Sequence, residues 1–243
     1  MTQMPDLPRI RVNWLWILAT AALTVAVVIH LVRDIYPGLP DPMPVHWDAA
    51  GVADGFQEKS LSGFLVTVLL GPVIILLSML TGAGVISSQS ASLTQRGGAR
   101  TPEEAQRTWH TLRASQTHLG WYLFGVNAAV LLLLVRTYTG DGQKADLGLF
   151  LVVLAGLTVL LIVLLQRART VAEGRHPREE SEREKWRGLF YRDPDDPRIL
   201  VPGDGGMNMT FNLGRPAGRL AFGLLVGGPL LLVLVLGLLL FLL

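Results

Sequence analysis

The chain has 243 residues, half of them hydrophobic and only 16% charged, with a net charge of +2, a mean hydropathy of +0.43 and no cysteine. That balance is too apolar for an ordinary soluble domain of this length and argues against a nucleic-acid partner. The missing cysteine excludes disulfides, thiol catalysis and cysteine-ligated metals.

Five apolar stripes occur in order: Trp14 to Val32, Leu61 to Ile86, Leu119 to Val135, Leu147 to Leu165 and Leu220 to Leu243. Each is long enough to cross a hydrocarbon core about 30 Å thick. The pattern predicts an all-α polytopic membrane protein of five transmembrane helices. Seventeen of the 21 Lys and Arg residues fall before the first stripe, between the second and third, or between the fourth and fifth. The positive-inside rule then sets the N-terminus in the cytoplasm and the C-terminus at the outer face. The first stripe lacks a small-residue cleavage site and is expected to be an uncleaved anchor. Arginine outnumbers lysine 18 to 3, which suggests a GC-rich bacterial genome, and the expected location is the bacterial inner membrane. Four segments result. They are a two-helix module (1–86) with an outer loop (33–60), an amphipathic inner helix with the third and fourth spans (87–165), a cytoplasmic segment (166–219), and the last span (220–243).

Trp14, Trp16, Trp121 and Tyr122 mark the inner interface, and Tyr36 and Tyr138 the outer one. His30, one turn from the outer edge, reads as a hydrated structural histidine, and Asn127 as an interhelical hydrogen-bond donor. Gly71-Pro72 and Gly227-Gly228-Pro229 predict bends. Ala22 with Ala26 and Gly223 with Gly227 are small-residue pairs expected inside the bundle. Thr101-Pro102-Glu103-Glu104 is a capping box. It opens a surface helix with Ala105, Trp109 and Leu112 on one face and arginines elsewhere. Beyond Leu165, His176 to Arg187 reads as a charged helix. Arg198 to Pro202 and Met207 to Leu213 read as a small hairpin with its turn near Gly203 to Gly206.

Chemistry concentrates in the outer loop, YPGLPDPMPVHWDAAGVADGFQEKS from Tyr36 to Ser60, whose prolines and glycines forbid a continuous helix. His46, Asp48 and Asp54 are residue types that hold divalent cations. The structural alternative has Asp48 and Asp54 capping turns at Gly51 and Gly55, with His46 and Trp47 packed at the membrane surface, and it is preferred. No metal or other cofactor is expected. A third reading makes the loop a receptor surface.

Pro44-Val45-His46-Trp47-Asp48, Gly51, Asp54-Gly55 and Lys59, between two spans, resemble the N-terminal module of the bacterial immunity family that protects against the sporulation-delaying toxin. The resemblance covers Trp14 to Ile86. It implies a membrane protein that senses a secreted toxic peptide through Pro44, His46, Trp47, Asp48, Gly51, Asp54, Gly55 and Lys59. Trp186, Gly188, Tyr191, Asp196, Arg198 and Asn212 resemble a small uncharacterised domain often found beside that module, and are the expected docking residues for a cytoplasmic partner.

Catalytic constellations are missing from the sequence: no HExxH, GxSxG or Walker loop occurs. No Asp, Glu or Lys lies within a span, as ion-coupled transport usually requires. The expected function is a non-enzymatic inner-membrane immunity or envelope-sensing protein. Its partners would be the bilayer, a secreted peptide outside, and a soluble protein, a membrane protein or a second copy of the bundle. The alternative is a small transporter or permease accessory subunit.

Overall fold

The computed structural model describes residues 4–95, 98–140, 142–178, 180–187, 190–202 and 209–227. They are mostly helical: α1 (Trp14–His30), α2 (Leu61–Ser92), α3 (Pro102–Thr139), α4 (Leu147–Arg175), and the short α5 (Glu180–Arg183) and α6 (Pro216–Phe222). Three antiparallel strand pairs complete it: β1 (Met43–Trp47) with β2 (Ala53–Gln57), β3 (Trp186–Arg187) with β4 (Phe190–Tyr191), and β5 (Leu200–Pro202) with β6 (Met209–Phe211). The chain divides into two compact units. The first comprises Met1–Arg9, Gln89–Arg113 and Arg167–Leu243, and the second Ile10–Ser88 and Ala114–Gln166.

Among the described residues, four helical segments are long and apolar enough to cross a membrane: Trp14–Gly38, Leu61–Ser92, Pro102–Thr139 and Leu147–Arg175. Their large side chains point outward without partners, as Leu15, Val66 and Val152 do at 67–70% exposure. In water such a surface would cost roughly 25 cal/mol per Å², whereas lipid tails cover it without cost. This is a membrane protein. Of the expected fifth span, the described part is α6 and a π-helical turn over Gly223–Gly227. The remainder, with Gly228-Pro229, lies outside the described residues.

Local chemistry sets the helix ends. Asn13 caps α1, its Oδ1 accepting from the Leu15 amide. The capping box opens α3: the Glu104 amide donates to Thr101 Oγ1 at 3.1 Å, and Glu104 Oε2 accepts from the Arg100 amide at 2.7 Å. Pro72 sits inside α2 without ending it. His30 is exposed and meets Asp34 at 2.7 Å.

Within the second unit, Asn127 is buried and its side-chain amide donates across to Thr24 Oγ1 at 3.1 Å, as the sequence predicts. Asn127→Leu should lower thermal stability in detergent by about 1 kcal/mol, the usual scale for such bonds between membrane helices. An unchanged melting temperature would show that the contact contributes nothing.

Three expectations need correction. Ala22 and Ala26 are exposed rather than packed inside the unit, because α1 turns Ile17, Thr20 and Thr24 inward instead. The charged stretch from His176 forms only the single turn of α5, since α4 runs on to Arg175 and Pro177 breaks the helix beyond it. Arg107 is not on an outward face of α3. It is buried, donating to the His176 carbonyl at 3.1 Å and paired with Glu182.

Candidate functional site: a braced hairpin and a buried ion network

The loop between α1 and α2 is an ordered β-hairpin, where the sequence suggested only a series of turns. Met43 pairs with Gln57, Pro44 with Phe56, His46 with Gly55 and Trp47 with Ala53, with the register shifting on both sides of His46. The irregularity accommodates Pro44, which has no amide to donate. At the tip, Asp48 Oδ1 accepts from the Ala50 and Val52 amides at 2.9 and 2.8 Å, and Gly51 adopts φ +78°. A side chain at Gly51 would also strike the Ala145 carbonyl. At Gly55 a Cβ would lie 2.7 Å from that of His46, so glycine is what lets the strands close there. Asp48 therefore caps the turn at Gly51 as expected. Asp54 does not cap at Gly55; it meets His46 Nδ1 at 2.5 Å.

The hairpin is fastened on several sides. Tyr138 donates its hydroxyl to the Pro44 carbonyl at 3.0 Å, and Trp47 donates its indole N–H to the Gly142 carbonyl at 2.8 Å. The tip pairs with the loop after α3: the Ala53 amide reaches the Gln143 carbonyl, and the Ala145 amide reaches the Gly51 carbonyl. Lys59 Nζ donates to the Pro37 and Leu39 carbonyls at 2.9 and 2.7 Å, and its amide donates to Asp41 Oδ1. Beneath lie Leu31, Leu39, Met43, Phe64, Val68 and Tyr138, all buried.

So the eight sensing candidates do come together, and most of them build the platform. Pro44, Trp47, Asp48, Gly51, Gly55 and Lys59 are committed to internal contacts. The outward face is formed by His46 and Asp54, with Val52 and Phe56 at 45% and 47% exposure. Sequence reasoning missed Tyr138, which it assigned to the interface belt, and missed Phe56. Pro44-to-Trp47 alternation opposite Ala53-to-Gln57 was the available signal.

In the first unit the candidate docking residues form an interior. Asp196 and Asn212 are fully buried and Tyr191 nearly so, while Trp186 packs edge-on against Tyr191. Gly188 lies outside the described residues. Surface for a partner must come from neighbours of these side chains. Asn212 Oδ1 accepts from the Asp193 and Gly214 amides, and its Nδ2 donates to the carbonyls of Asp193, Asp196 and Arg198. One amide thus ties the β4–β5 connection to β6, whose pairing with β5 brackets the predicted hairpin turn. The turn itself lies outside the described residues.

Around it runs an ion network. Arg198 grips Asp196 through Nε and Nη2, and its Nη1 donates to Glu104 Oε1 at 3.1 Å and the Gly98 carbonyl at 2.7 Å. Asp193 meets Arg100 at 3.0 Å and Lys185 at 2.9 Å, and Tyr191 donates to Asp196 Oδ2. Burial alone would raise the Asp193 carboxyl. The hydrogen bonds from Lys185 and the Asp195 amide, with Arg100 nearby, outweigh it and hold the group down at about 2. Asp196 is held low likewise, burial being overcome by the hydrogen bonds of Arg198. Tyr191 moves up, through burial and its bond to Asp196. These shifts belong to satisfied ion pairs, and their direction fits a structural network.

The fold and the two sites define a multi-helix membrane protein carrying a braced extramembrane hairpin and a compact ion-paired element. A family model, described as a domain of unknown function (DUF1648), matches residues 17–71, from α1 through the hairpin into α2. No curated protein and no solved structure matches.

Proposed function

We propose that this is a non-enzymatic bacterial inner-membrane protein of immunity or envelope sensing, with five spans and a cytoplasmic N-terminus. Its outer hairpin engages a secreted peptide or envelope component. The observation that carries the reading is the hairpin itself: six of the eight resembling residues hold it rigid, and His46, Val52, Asp54 and Phe56 are left facing outward. A rigid scaffold presenting an exposed aromatic and an imidazole–carboxylate pair is suited to capture, since little ordering entropy is spent on binding. The first unit, rich in arginine, would lie in the cytoplasm and meet a soluble or membrane partner there.

The test uses a bacterial host challenged with secreted membrane-active peptides. Phe56→Ala and His46→Ala should each weaken protection, and photo-crosslinking from a probe at position 52, by about tenfold, the scale for an exposed anchor. Because the chain has no cysteine, single cysteines at Glu58 and Glu184 report orientation by labelling with an impermeant maleimide. Position 58 should label from outside intact cells and 184 only after lysis. Full protection by both variants, correctly oriented, would overturn the capture role. Solute flux in liposomes holding only this protein would favour the transporter alternative.

A further inference from the structure

Within the first unit Arg100, Arg107 and Arg198 are all paired with carboxylates. Three other arginines differ. Arg187 at the end of β3, Arg192 just after β4 and Arg219 in α6 surround an open depression of about 480 Å³ floored by Phe190, Leu213 and Phe222. Among the described residues none of the three has a carboxylate partner, and no acidic side chain lines the depression. Phe190 and Phe222 meet edge-to-face at 5.7 Å, and Phe211 extends the aromatic ledge against Phe222 at 6.2 Å. The apolar side continues beyond the depression: Leu220, Leu224 and Leu225 are 65–66% exposed, at the start of an apolar run that continues to Leu243.

We propose that this depression seats the headgroup of an anionic phospholipid. Guanidinium groups recognise phosphate through paired N–H donors and retain their charge at any physiological pH. Three of them over an aromatic floor, with exposed leucines next to Arg219 and Phe222 in sequence, match a molecule whose phosphate and acyl chain lie side by side. Free inorganic phosphate would use the arginines and leave the apolar floor wet. Basic clusters beside a membrane segment attract anionic lipid by the same electrostatics. The depression is built from residues of the first unit and the hairpin from residues of the second, so its failure would leave the capture reading untouched.

The experiment takes the full-length protein in dodecylmaltoside and titrates it with dioctanoyl phosphatidylglycerol, dioctanoyl phosphatidylcholine or inorganic phosphate, reading retained lipid by native mass spectrometry. Phosphatidylglycerol should bind at least tenfold more tightly than phosphatidylcholine, as about fivefold per arginine predicts, and inorganic phosphate should not displace it. Neutralising the three together (R187Q, R192Q, R219Q) should abolish the preference. A control with equal charge removed elsewhere (R11Q, R167Q, R183Q) should keep it. Equal loss in both triple variants would reduce the effect to bulk charge and overturn the site. Displacement by inorganic phosphate would overturn the lipid assignment. If the triple variant does not fold, each single variant should weaken the preference about fivefold, and three unchanged singles would sink the proposal.

Discussion

Asp196→Asn should destabilise the first unit by about 2–3 kcal/mol, because it removes one of the two carboxylates that Arg198 grips, and the one that is fully buried. Asp196 is fully buried and the Arg198 side chain is 8% exposed. The asparagine would fill the space and accept one hydrogen bond, but the guanidinium would keep only Glu104 and the Gly98 carbonyl. Thermal melting of the full chain in detergent, with trypsin cutting within residues 167–219 as a second readout, measures the loss. Arg183→Gln, at an exposed position, should stay within about 0.5 kcal/mol. If the two variants melt alike, the network adds no net stability. Acid offers an independent check. A carboxyl depressed from 3.8 to about 2, as in Asp193, contributes stability that is present above its ordinary value and lost as the pH falls through the folded one. The melting temperature should therefore be flat above about pH 4 and fall between 4 and 2. A fall centred near neutrality would contradict this assignment.

Tyr138→Ala should release the β1–β2 hairpin. The ring is 1% exposed and packs between Trp47 and Phe64, at 5.6 and 5.2 Å. Truncating a buried aromatic costs about 3–5 kcal/mol. Tyr138→Phe keeps the ring and strands the Pro44 carbonyl, for about 1–2 kcal/mol. Met43→Cys supplies the probe, since Met43 is fully buried beneath the hairpin and no native cysteine competes. Maleimide labelling at position 43 should be slow in the Tyr138 background, faster with Phe, and faster again by about two orders of magnitude or more with Ala. Equal labelling in all three would mean that the hairpin is held elsewhere.

How much of the fold was legible in the sequence depends on the range of the forces involved. The four described spans came from runs of apolar residues, and the start of α3 from Thr101 and Glu104, three positions apart. The β5–β6 hairpin came from alternation around a glycine cluster. Each of these signals is local. The β1–β2 hairpin was hidden because Pro42 and Pro44 imitate loop and because its bracing comes from Tyr138, Gly142 and Ala145, about 90 residues onward. The ion network was hidden for the same reason. Arg198 was expected to dock a partner, and nothing near Arg198 or Asp193 in the sequence points to Glu104 and Arg100, more than 90 residues earlier, which the fold brings against them.

The segment matched by the family model, residues 17–71, is not a self-sufficient piece of architecture. Cut free and grafted onto another pair of helices, it would carry a hairpin with loose ends. The Pro44 carbonyl would lose its hydroxyl donor, the Trp47 indole its carbonyl, and the Gly51 carbonyl the Ala145 amide. Any host of such a graft must therefore furnish a tyrosine at the mouth of a neighbouring helix and a short extended stretch just after it. In this chain α3 and the residues after it provide both, which makes the third helix a co-author of the hairpin's surface rather than a bystander beside it.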